Sequence, residues 1–266
     1  MLPVIQIGPL ALQVPGMLLL AGLWLGLWLA ERNAHRFGIH SNDLYNLTFV
    51  ALIAGVIGAR LSYVARFWSA FTANPASLFS LNPGLLDPWG GLAFAIIAAF
   101  IYGQRKKMPF WPTLDALTPV LAVMVVAFGL SHLASGAAFG AITNLPWGIE
   151  AWGERRHPSQ IYETVIAALI LGLIWPKRGL IQPTRPGIYF LSFVAMSAAG
   201  RLFLEAFRGD SFIIIGGLRT AQVIAWVILC FSLWGITRLK GSQESQTIQI
   251  PIQILEGDHD DTGNSL

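Results

Sequence analysis

A chain of 266 residues that is 55% hydrophobic and only 12% charged has too few polar groups to cover a globule in water, since ordinary soluble domains are roughly 25% charged. Its single cysteine, Cys230, excludes an internal disulfide framework. The net charge of +3 is carried by basic residues between apolar runs, a topology signal that gives no support to nucleic-acid binding.

Spanning a bilayer takes about 20 mostly apolar residues, and such runs lie at 14–30, 44–64, 89–103, 112–132, 159–175, 186–206 and 213–237. They predict an all-α integral membrane protein with about seven transmembrane helices, because backbone groups left unpaired in lipid cost several kcal/mol each. No Lys or Arg precedes Glu31, so the first run lacks the basic leader of a cleavable signal and is expected to stay as a span. Its Gly22 and Gly26 form a small-xxx-small pattern of ordinary helix packing. The second run ends in GARLSY, which holds Arg60 and Tyr63. The third is short for a span and is expected to be tilted or re-entrant. The fourth has Asp115 near its start, read as a helix-start or interface residue, and closes on His132 in GLSHL.

The segment HPSQIYE, His157 to Glu163, opens the fifth run, and the sixth carries Arg201 and Glu205 in GRLFLEAFR. Four residues apart, these two share one helix face. Cys230, in the seventh run, reads as a small buried hydrophobe. Beyond a transmembrane domain of residues 1–240, the segment 241–266 bears Glu244, Glu256, Asp258, Asp260 and Asp261 and reads as an acidic, disordered cytoplasmic tail.

Seven spans divide the connections between two sides. One side collects ten basic residues: Arg32, Arg36, Arg105, Lys106, Lys107, Lys177, Arg178, Arg185, Arg238 and Lys240. The other collects five: Arg66, Arg155, Arg156, Arg208 and Arg219. The richer side is expected to be cytoplasmic, which puts the N-terminus outside and the C-terminus inside. Trp68, Trp111 and Trp175 fit the interfacial aromatic belt.

An ionisable side chain at mid-bilayer costs about 2.5–3.5 kcal/mol on insertion scales, so each one inside a span asks for a reason. The predicted orientation puts Arg60, Tyr63, His132, the HPSQIYE segment, Arg201 and Glu205 toward the outer ends of their spans, where they are expected to meet. Such a cluster suits an anionic head group, because arginine offers phosphate a bidentate fork and keeps its charge. The competing reading makes Arg201 and Glu205 an internal ion pair and Arg60 a snorkelling anchor. His35, His40 and His259 receive no assignment. Metal-ligand spacings, a Gly-rich phosphate loop and internal repeats are all missing from the sequence, so no cofactor is expected and an inverted-repeat transporter gains little support.

Taken together, GVIGARLSYV, HPSQIYE and GRLFLEAFR, in this order and spacing, resemble the bacterial prolipoprotein diacylglyceryl transferase family, and the likeness runs from IGPLAL at Ile7 to about Gln222. The resemblance implies a seven-span enzyme of the bacterial inner membrane. That enzyme moves the diacylglyceryl group of phosphatidylglycerol onto a lipoprotein cysteine thiol and releases glycerol phosphate. It implies that Arg201 and Glu205 match the functional arginine and glutamate of span six and that Arg60 matches the arginine of span two. HPSQIYE matches throughout, which places Gln160, Tyr162 and Glu163, with Tyr63, among the expected lipid-binding residues. The implied partners are phosphatidylglycerol or another anionic phospholipid, and the lipobox segment of a prolipoprotein.

The chain departs from that family at several positions. Gln13, Val14, Pro15 and Gly16 stand where the family has Arg-Trp-Tyr-Gly. Ala95 stands at the essential histidine of span three, with Ile96 and Ile97 in place of glycines. On span four, Gly129 replaces the signature arginine, His132 and Ser135 replace its two asparagines, and Ala137 replaces its glutamate. A thiol of pKa about 8.5 needs a base or a positive field to become a nucleophile at neutral pH. His132 is the candidate for a relocated catalytic base, since an imidazole exchanges protons near neutral pH. Three functions therefore compete: a divergent transferase, a non-catalytic relative that binds anionic lipid or a partner protein, and, last, a small-solute transporter.

Overall fold

The computed structural model describes residues 4–7, 10–73, 83–175, 185–211 and 218–247. The helices are α1 (Val14–Glu31), α2 (Ser41–Arg66), α3 (Trp68–Ala73), α4 (Pro88–Arg105), α5 (Phe110–Ser135), α6 (Ser159–Leu173), α7 (Ile188–Glu205) and α8 (Thr220–Thr247). Every expected span contains one of them, and α3 is an addition too short to cross a bilayer. Among the described residues, five helices are long and apolar enough for a membrane by length and composition: α1, α2, α5, α7, and α8 as far as Gly241. α4 opens on Pro-Trp-Gly-Gly and ends on Gly-Gln-Arg, which dilutes its apolar content, and α6 has only 15 residues. Large apolar side chains face outward along the long helices, Phe231 at 67% exposure among them, which a lipid solvent accommodates and water does not. This is a multi-pass membrane protein.

Among the described residues, four short strands accompany the helices of this all-α membrane fold. β1 (Val4–Ile7) pairs antiparallel with β2 (Leu10–Gln13), just before α1, and β3 (Ile149–Ala151) pairs antiparallel with β4 (Glu154–Arg156) between α5 and α6. The second hairpin turns through Trp152 and Gly153, both at positive φ (58° and 77°), as a tight two-residue turn between twisted strands requires.

The tail expectation changes at its boundary. α8 continues helically to Thr247, seven residues past the predicted break at 240, and the remaining tail lies outside the described residues. Cys230 also differs from its expectation: it is exposed on α8, because that helix turns most of its side chains outward.

The chain divides into two compact units. One comprises Trp24–Val120. In it α2 packs along α4 at a small-residue seam, where a Cβ added to Gly91 would lie 2.9 Å from both the Gly55 carbonyl and the Ala59 Cβ. Asp87 starts α4, its carboxylate accepting the Trp89 amide at 3.2 Å. Asp115, read as a helix-start or interface residue, lies near the start of α5 and is buried.

The other unit comprises residues 1–23 and 121–266. Gly22 of α1 sits flush against Ala127 of α5, the close helix packing that the small-xxx-small pattern predicts. α6 and α7 run antiparallel. The Tyr189 hydroxyl at the start of α7 donates to the Ile174 carbonyl after α6, Gly200 lies against Ile166, and Phe207 beyond α7 stacks on His157 and Tyr162 at the start of α6. α7 and α8 are antiparallel too, with Leu191 against Gly235 at one end and Glu205 beside Arg219 at the other.

Candidate functional site

The site is built at the end of the second unit that carries the β3–β4 hairpin. α5 stops at Ser135 because Gly136 and Ala138 take positive φ (75° and 56°), which breaks the helical path. The chain then runs extended between two neighbours. Ala141 donates its amide to the Phe207 carbonyl at 2.8 Å, and Gly209 returns a bond to the Phe139 carbonyl at 3.0 Å. On the other side His157 donates to the Ala141 carbonyl and Thr143 to the Arg155 carbonyl, at 3.0 and 2.9 Å. These backbone bonds tie together the ends of α5, α6 and α7, which is why polar side chains far apart in sequence lie at one level.

HPSQIYE supplies most of the inner wiring. Ser159 donates its hydroxyl to the Ala138 carbonyl at 2.6 Å, and buried Gln160 donates its amide to the Ala137 carbonyl at 2.9 Å. Both bonds fasten the loop that follows α5. The Gln160 carbonyl oxygen and the His157 Nδ1 are buried without a hydrogen-bond partner. Tyr162 accepts a hydrogen bond from the Trp147 ring nitrogen at 2.8 Å and stacks edge-on against Phe207, 5.6 Å between ring centres. Its own hydroxyl proton stays available to a ligand.

Glu163, one residue on, reaches α5. Its Oε2 lies 2.9 Å from His132 Nδ1, and the His132 side chain keeps 32% exposure while Glu163 is mostly buried. The close approach of the helices makes this possible: a Cβ on Gly129, one turn before His132, would lie 3.0 Å from the Thr164 backbone. There is no space at Gly129 for an arginine. Ala137, at the position of the signature glutamate, lends its carbonyl to Gln160, and Ser135 takes part in a local turn, donating to the His132 carbonyl and accepting the Ala137 amide.

On α7 the expected ion pair is present. Arg201 Nη2 stands 3.2 Å from Glu205 Oε2, with Arg201 at 36% exposure and Glu205 at 0%. The contact is an ion pair by distance without hydrogen-bond geometry, since neither carboxylate oxygen of Glu205 has a hydrogen-bond partner. Arg201 therefore offers most of its guanidinium donors outward, while Glu205 pins it from below. Nearby, Arg208 forms a two-pronged pair with Asp210, at 2.9 and 2.6 Å.

The structure thus brings His132, Gln160, Tyr162, Glu163, Arg201 and Glu205 to one end of one unit. Arg60 and Tyr63 belong to the other unit. There Arg60 donates to the Leu85 carbonyl at 3.0 Å and lies 5.5 Å from the centre of the Phe71 ring, and Tyr63 stacks on Phe67 at 4.7 Å. Among the described residues no group of three His, Cys, Asp or Glu side chains is arranged to hold a metal ion. Sequence reasoning missed three contributors: Trp147, Phe207 and Arg219. Arg219 left a signal, because a cation just before an apolar helix opposes the positive end of the helix dipole and so needs another partner.

Comparison with known proteins shows the family. The family model for prolipoprotein diacylglyceryl transferase matches residues 3–238. The chain belongs to that family. Among its relatives, the phosphatidylglycerol–prolipoprotein diacylglyceryl transferase of Clostridioides difficile is 32% identical over 214 residues, covering 80% of this chain and 84% of the relative. That of Synechococcus elongatus is 29% identical over 255 residues, covering 91% and 88%. That of Bacillus mycoides is 30% identical over 243 residues, covering 86% and 88%. The family match takes in His132, HPSQIYE, Arg201, Glu205 and Arg219, so the whole site lies within the region shared with the family.

Proposed function

We propose that the protein transfers the diacylglyceryl group of phosphatidylglycerol to the cysteine thiol of a prolipoprotein lipobox, at the bacterial inner membrane, with His132 as the base. The observation that carries this reading is the His132–Glu163 pair. When Nδ1 holds the proton and donates it to Glu163, Nε2 is left as an acceptor on the accessible side of the ring. A carboxylate behind an imidazole fixes its tautomer and orientation and stabilises the imidazolium once it forms. The pair supplies the function that the alanine at position 95 lacks.

In the reaction the thiol gives its proton to His132, and the thiolate sulfur forms a bond to the glyceryl carbon. The bond from that carbon to the phosphate oxygen breaks, and glycerol phosphate departs with the electron pair. Charge grows on the leaving phosphate. Arg201, held by buried Glu205 with its remaining donors accessible, is suited to that oxygen anion. The Tyr162 hydroxyl is a further candidate for the lipid; Arg60 and Tyr63 are proposed as lipid-binding on the sequence alone. The basic-residue asymmetry supports a site on the outer face, with the loop at Arg105 and the C-terminal tail in the cytoplasm.

A second reading, a relative that holds anionic lipid without catalysis, draws support from the absence of polar side chains at Ala95, Gly129 and Ala137. Purified protein, given labelled phosphatidylglycerol and a lipobox peptide, separates the two. Label on the peptide thiol that disappears in His132→Ala supports transfer. Retention of phosphatidylglycerol with no label transferred by the wild type supports the binding-only reading and overturns the first.

A further inference from the structure

We infer that Arg219 is a positioning residue for this site: it closes the C-terminal end of α7 and thereby sets the direction of the Arg201 guanidinium. The inference rests on the reading of Arg201 as the head-group arginine.

α7 ends without the usual glycine stop. Its cap, Ala206, stays in the right-handed helical region at φ −63° and ψ −28°. The last turn tightens instead, with Ala206, Phe207 and Arg208 donating three residues back to Phe203, Leu204 and Glu205 at 3.3, 3.0 and 3.4 Å. A helix end of this kind leaves carbonyl oxygens in want of donors. Arg219 supplies them: its Nη1 donates to the Glu205 carbonyl and, at 3.0 Å, to the Arg208 carbonyl.

The location is electrostatically directed. Arg219 flanks the N-terminus of α8, where exposed N–H groups repel a cation, and it reaches the C-terminus of α7, where carbonyls attract one. Its own amide is held by the Gln222 side chain at 3.4 Å. The two helix ends are thus joined through one guanidinium at the residue that pins Arg201. Because the Glu205 carboxylate has no hydrogen-bond donor among the described residues, the backbone of this turn is what keeps it beside Arg201. Without Arg219 the turn loses two bonds, Glu205 is free to shift, and Arg201 loses its aim while keeping its charge.

The test measures phosphatidylglycerol retained per folded protein after detergent extraction, and KM and kcat for transfer from phosphatidylglycerol, in wild type, Arg219→Gln, Arg201→Ala and the double variant. Arg219→Gln is expected to lower retention about tenfold and to lower kcat/KM at least as much, since Arg201 both holds the head group and faces the charge on the leaving phosphate, while the base is untouched. In the Arg201→Ala background the same change should cost nothing further, because its effect passes through Arg201. Wild-type retention in Arg219→Gln overturns the inference, and so does an additive loss in the double variant, which would make Arg219 a lipid ligand in its own right. Unchanged retention in Arg201→Ala is a different failure, that of the head-group reading itself. If Arg219→Gln does not fold, Arg219→Lys carries the same comparison with an ammonium in place of the planar guanidinium. A fall in retention that vanishes in the Arg201→Ala background supports the inference, and wild-type retention overturns it.

Discussion

His132 and Glu163, 31 residues apart, meet at 2.9 Å because Gly129 has no side chain. One turn before His132, Gly129 lies against the Thr164 backbone and lets α5 approach α6 closely enough for the imidazole to reach the carboxylate. The missing signature arginine and the new histidine are therefore two sides of one packing arrangement, and a test of either bears on the other.

Removing the base should stop the chemistry and leave the lipid bound. His132→Ala is expected to lower transfer by about 10²–10⁴-fold, the usual contribution of a general base, with phosphatidylglycerol retention unchanged. His132→Asn, which returns the amide of the wider family, should fall as far, because an amide takes up no proton. Glu163→Gln should lose at least about tenfold through misorientation of the ring. Initial rates with a lipobox peptide measure all three. A His132→Ala rate equal to wild type would dismiss the dyad.

Restoring the family arginine should do harm. Gly129→Arg forces a long side chain into the Thr164 backbone, and overpacking of this kind costs about 1–3 kcal/mol or more. Thermal unfolding in detergent should register a lower midpoint than wild type, together with lost transfer as His132 is moved off Glu163. A variant as stable as wild type with raised activity would show that α5 and α6 have room to separate.

The Arg201–Glu205 pair separates recognition from folding. Arg201→Lys should weaken phosphatidylglycerol retention more than stability, since an ammonium lacks the bidentate fork. Arg201→Ala leaves fully buried Glu205 without its cation, a change that costs up to about 3–5 kcal/mol in a buried pair and less here because Arg201 is partly exposed. Retention and thermal stability measured side by side distinguish the two effects. Equal retention in wild type and both variants would remove the head-group role.

The ten-to-five division of basic residues predicts a cytoplasmic loop at Arg105 and a cytoplasmic C-terminus. Single cysteines introduced at these places, in a chain whose Cys230 is replaced, should resist membrane-impermeant thiol reagents in intact cells. Labelling from outside would invert the topology and move the site to the inner face.

The amino-acid sequence by itself determined the solvent, the helices and the inner pairing of span six. Long apolar runs are decided by transfer free energy residue by residue, so each expected span contains a helix, and all but α8 keep within three residues of the run's bounds. The four-residue separation of Arg201 and Glu205 is local geometry and needs no fold to be read. Tertiary structure alone decided the rest. That Glu163 serves His132, that Gln160 and Ser159 fasten the loop after α5, and that Arg219 closes α7 all depend on how helix ends are brought together, by backbone bonds between residues 139–143 and segments far away in the chain. Composition and periodicity are silent on such pairings, because a hydrogen bond between distant residues is specified by the approach of their backbones. At Gly129 that approach is set by an atom the residue does not have.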